Sequence, residues 1–85
     1  MPELDRDKIE EANRLNLFGM ELITRFGLYE ESVTFLKRSS EMNPGDYQPL
    51  GNLGLAYLNL GKHDSALLYF EKAAKLFEHD QNIYY

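Results

Sequence analysis

Cysteine is absent from the 85 residues, so neither a disulfide nor a thiolate metal site holds this chain together. Positive charge is scarce. Lys and Arg number 9 against 14 Asp and Glu, giving a formal net charge of −5. A protein held mainly by nucleic-acid phosphates needs a basic face, so that class is excluded. No apolar run reaches the roughly 18 residues that mark a membrane span, so no membrane insertion is expected. The opening residues are acidic and polar, without the basic-then-apolar order of a secretory leader, and a cytoplasmic location is the expectation. Hairpin signals are missing as well. There is no Asn-Gly or Asp-Gly pair, and no stretch alternates apolar with polar residues for long.

What is present is apolar and helix-periodic. Hydrophobic residues make up 44% and aromatics 13%, enough for a core rather than a disordered tail. One domain fits the length, with a small core. Gly27, Pro44-Gly45 and Gly61 cut the chain into four blocks. In the first, Ile9, Ala12, Leu15, Phe18, Leu22 and Phe26 recur at spacings of three and four. Asp7 followed by Glu10 has the form of a capping box, placing a helix at about 8–26. Further helices are predicted at about 30–42, 47–60 and 63–78. The expected fold class is all-α.

Self-comparison exposes a repeat. Gly27 and Gly61 stand 34 residues apart, as do Asp46 and Asp80. Between them Ser32 aligns with Ala66, Phe35 with Tyr69, Leu36 with Phe70 and Ser39 with Ala73. Residue sizes stay in register where identities do not, which is the mark of a packing repeat.

Residues 47–80 carry Leu50, Leu53-Gly54, Tyr57, Gly61, Ala66, Phe70 and Ala73 at fixed offsets. This spacing resembles the tetratricopeptide repeat (TPR) family. Residues 13–46 follow the same spacing through Asn16, Gly19-Met20, Ile23, Gly27, Tyr29, Ser32, Leu36, Ser39 and Pro44, with weaker identities. The resemblance implies two helix-turn-helix units at 13–46 and 47–80, forming a fragment of an α-α solenoid. Residues 1–12 extend the first helix, and 81–85 form a tail or the start of a third unit. Gly54 and Ala66 are the small residues expected where the second helix pair crosses, with Tyr57 and Phe70 filling wider gaps. In the first unit Met20 stands where the small residue belongs and Gly19 comes one place early, so that pair is expected to be spread or rotated. Gly19 in mid-helix is expected to cost about 1 kcal/mol relative to Ala.

The resemblance also implies a function without catalysis: a scaffold that binds a protein or peptide partner. The first helix of each unit lines a concave groove. By position this groove takes Arg14, Leu17, Phe18, Glu21, Thr24 and Arg25 from the first unit. The second contributes Gln48, Gly51, Asn52, Leu55, Leu58 and Asn59. Asn52 can bond a peptide backbone, and Gly51 lets a ligand approach closely. Some family members clamp a chaperone's terminal carboxylate. Their first-helix positions here hold Leu17 and Glu21, and Glu21 repels an anion, so an apolar, amide-rich or basic segment is the expected ligand.

Two units leave an open edge, for which Leu67, Leu68, Phe77, Tyr84 and Tyr85 are candidates. Self-association into a homo-oligomer, through that edge or by helix exchange, is the alternative reading. A chaperone-like carrier is a third, with no signature of its own. No cofactor is expected. His63 and His79 are the chain's two histidines, set in a turn and a tail without a carboxylate cluster or a ligand pair. Gly61-Lys62 lacks the other residues of a phosphate loop. Gly51-Asn52-Leu53-Gly54 lies within a predicted helix without basic flanks.

Overall fold

A computed structural model describes residues 5–83. It contains four helices, α1 (Arg6–Thr24), α2 (Tyr29–Met42), α3 (Tyr47–Asn59) and α4 (His63–Ile83), with no strand among the described residues. Short turns reverse the chain between them. α1 packs on α2, α3 on α4, and α2 on α3, while α1 meets α3 only lightly.

Local chemistry sets most of the boundaries. Asp5, rather than Asp7, caps α1, its carboxylate accepting from the Lys8 N–H at 3.2 Å. Asp7 falls within the first turn, so the expected box with Glu10 does not form. Asp46 caps α3 through the Gln48 N–H at 3.0 Å. Pro49 sits in that helix's first turn, where no N–H is required of it. α2 ends at Met42, just before Pro44. α4 runs past its expected end near Glu78 to Ile83, because no glycine or proline interrupts it after Gly61. His79 therefore lies on a helix rather than in a tail, and 81–83 continue the second unit's helix instead of opening a new one.

Ile23, Leu36, Leu50, Leu53 and Ala56 form the core where the two helix pairs meet. Tyr29, Val33, Tyr57, Tyr69, Ala73 and Leu76 pack around it. Ser32 and Ser39 are buried, and Ser39 ties the first pair together by donating to the Ala12 carbonyl at 2.7 Å.

The crossings correct the expected register. In the second pair, a Cβ placed on Gly54 would lie 2.6 Å from the Phe70 ring, so Gly54 makes room for Phe70, and Ala66 is buried on the same partner helix. In the first pair, a Cβ on Gly19 would lie 2.7 Å from Leu36. Gly19 is thus the crossing residue, Met20 is exposed, and the pair is not spread at this point. Leu36 and Phe70 are 34 apart, but Gly19 and Gly54 are 35 apart. The first unit holds one more residue between crossing glycine and turn glycine, and the turn absorbs it. At Gly61 (φ +77°) the Lys62 N–H reaches back five residues to the Tyr57 carbonyl. At Gly27 (φ +63°) the Leu28 N–H reaches back six, to Leu22.

Candidate functional site

The slipped register decides which side chains α1 turns toward α3. Asn16, four residues beyond Ala12 on the buried stripe, is only 4% exposed. Its Oδ1 accepts from Asn52 Nδ2 of α3 at 2.9 Å. Asn52 is therefore not a free amide, and Asn16 is the partner that reading the first unit at an offset of 34 misses. The offset of 35 that pairs Leu15 with Leu50 and Gly19 with Gly54 carries the signal.

The other candidates fall into three groups. Leu17 (64% exposed), Leu55 and Leu58 are apolar and open to solvent. A shallow hollow of about 470 Å³ follows α1 past Arg14, Leu17, Phe18, Met20, Glu21 and Thr24. Gly51 has no neighbour within 4 Å of a built Cβ, so close approach is sterically open there. Gln48 is exposed in the first turn of α3.

A second group is committed within its own helix. Arg14 pairs with Glu11 at 2.8 Å and Arg25 with Glu21 at 3.0 Å, both exposed and worth little to stability. The Thr24 hydroxyl donates to the Met20 carbonyl, and Asn59 Nδ2 to the Leu55 carbonyl. Phe18 forms the third group. It turns toward α2 and meets the Phe35 ring edge-on at 4.8 Å.

On the candidate edge of α4, Leu67, Leu68 and Phe77 are all exposed, and Phe77 also meets Tyr47 of α3 edge-on at 5.2 Å. Tyr84 and Tyr85 lie outside the described residues. Elsewhere Tyr57 and Tyr69 stack at 5.5 Å, with Lys37 and Lys72 against the two rings. The Tyr57 hydroxyl, as hydrogen-bond partner and then as charge, holds the Lys37 ammonium above its ordinary value of 10.5.

Two helical hairpins with glycine crossings, stacked through α2 and α3, define a helical-repeat protein. Residues 47–80 match the family model described as Tetratricopeptide repeat. The second hairpin is such a repeat, and the first has the same helix-turn-helix form. Tetratricopeptide repeats are modules of protein–protein interaction. No curated protein matches the chain. No helix among the described residues is long and apolar enough to cross a membrane.

Proposed function

We propose that this chain is a non-enzymatic scaffold that holds an extended or helical segment of a partner protein against a concave face built from α1 and α3. One observation carries the reading. Leu17 on α1, with Leu55 and Leu58 on α3, exposes apolar surface on the two helices that the Asn16–Asn52 hydrogen bond joins. Recognition surfaces join apolar area to a few placed polar groups in this way. The ligand's character is apolar, amide-rich or basic, in keeping with the net charge of −5. The test is capture from a peptide array by the parent protein, Leu17→Glu and Leu55→Glu. Segments bound by the parent and lost by both variants support the reading; an unchanged set overturns it.

A second reading, self-association through α4, rests on the exposure of Leu67 (58%) and Leu68. Light scattering across a concentration series tests it. A mass above 9.9 kDa that Leu67→Ser with Leu68→Ser returns to monomer supports a homo-oligomer built on that face.

A further inference from the structure

We infer that two copies of this chain pair through α4, antiparallel about a two-fold axis, along the stripe Leu67, Phe70, Ala74 and Phe77. The inference deepens the self-association reading and rests on it. All four residues are exposed, Leu67 at 58%. They recur at spacings of three and four, so they share one face of the helix. The residues 34 places earlier, Val33, Leu36, Ser40 and Asn43, are each buried or half-buried. Leu36, sealed in the core, is the counterpart of Phe70. α3 covers that part of α2, where Leu53 and Ala56 share one core with Leu36. The first hairpin thus shows that a helix fits on such a stripe, and the second leaves its own stripe open.

A second copy offers two helices to it. α1, taking the place of α3, would build an endless head-to-tail row. At an offset of 35, however, the buried Pro49 and Ala56 of α3 become Arg14 and Glu21 of α1. Their side chains are 66% and 49% exposed, and docking in the manner of α3 would strip both of water. The α4 stripe carries no charge. Antiparallel pairing sets Leu67 opposite Phe77 of the second copy and Phe70 opposite Ala74, large against small at the inner step. Parallel pairing would set Phe70 on Phe70 and leave Ala74 on Ala74. The rim agrees. Glu71 and Lys75 are exposed beside the middle of the stripe, and neither forms an ion pair among the described residues. The two-fold axis gathers two carboxylates and two ammoniums there, each Lys75 within about 3 Å in height of Glu71 of the other copy. Parallel helices would level like with like.

The test begins with light scattering on the 85-residue chain across a concentration series. The mass should rise to twice 9.9 kDa and stop there. Glu71→Lys and Lys75→Glu each gather four like charges at the axis and should weaken their own dimer about tenfold. An equal mixture of the two restores the balance and should pair as tightly as the parent. Direction is read by cross-linking, which the absence of native cysteine keeps clean. Asp64→Cys and Glu78→Cys lie on the exposed rim and come level with each other only in an antiparallel pair. A short thiol cross-linker should join the unlike variants and leave like pairs unlinked. All four substituted positions are exposed, and circular dichroism melts establish that the variants fold. A mass that climbs without limit, like joined to like, or a dimer indifferent to charge overturns this pairing, while self-association lost in Leu67→Ser with Leu68→Ser still stands. A monomer at every concentration overturns both.

Discussion

Gly19 and Gly54 occupy matching places, yet they are not equally replaceable. A methyl group on Gly19 would press on the Cγ and Cδ2 atoms of Leu36, which is sealed in the core. The same group on Gly54 would press on Phe70, a residue 39% exposed and with solvent to move into. Alanine is the better helix former at both sites by about 1 kcal/mol, and overpacking opposes it by about 1–3 kcal/mol. Gly19→Ala should therefore be the more destabilising of the two, read as the shift in urea midpoint. Gly54→Leu, too large for a ring displacement to accommodate, should cost about 1–3 kcal/mol. The opposite order for the two alanines would show that Leu36 has room the structure does not display. Gly61 provides the contrast. Nothing lies within 4 Å of its would-be Cβ, so the cost of Gly61→Ala is purely that of a left-handed backbone, about 1–2 kcal/mol.

At the scale of elements, the four helices and the second hairpin were legible because their signals are local. Turn glycines, Pro44 and a three-four apolar period need no tertiary information. Three features were not. The cap at Asp5 in place of Asp7 follows from where the chain enters the helix, which two nearby aspartates leave open. The length of α4 exceeds the expected 63–78 because its apolar block ends at Phe77 whereas the helix itself, with no glycine or proline to stop it, continues to Ile83. The crossing in α1 was misplaced because aligning on the turn glycines carries an error of one residue into the helix before them. One residue is 100° of helix rotation, which is why Phe18 faces Phe35 and Asn16, a pattern position absent from the expected groove, meets Asn52.

The whole molecule measures 40 × 28 × 17 Å and has its core between the inner helices α2 and α3. α1 is held chiefly by α2, through Leu36 under Gly19, the Ser39 hydroxyl on the Ala12 carbonyl and the Phe18–Phe35 contact. Native-state hydrogen exchange should find the slowest amides in α2 and α3, with α1 opening at lower free energy. Equal protection throughout would mean that the light α1–α3 contact is stronger than its extent implies. The aromatic stack on α3 and α4 adds a pH dependence. Because folding raises the Lys37 pKa, its contribution is complete below the ordinary value of 10.5 and is lost as pH climbs past it. The stability difference between parent and Lys37→Met should hold steady at neutral pH and shrink on the alkaline side. Lys37 is largely solvated, so the effect is small.

The slip of one residue between the two hairpins bears on how this chain is to be engineered. Consensus redesign replaces each position with the residue its family prefers. Applied here by counting from Gly27, it would write a glycine at Met20 and a leucine at Gly19. Those edits would improve the agreement of the first hairpin with its pattern. They would also drive a branched side chain into the space that Leu36 already fills. The redesigned protein should melt below the parent, whereas the same procedure moved along by one residue should leave it intact. Numbering taken from a loop does not transfer to the helix beside it, and in this molecule a correction toward the average amounts to damage.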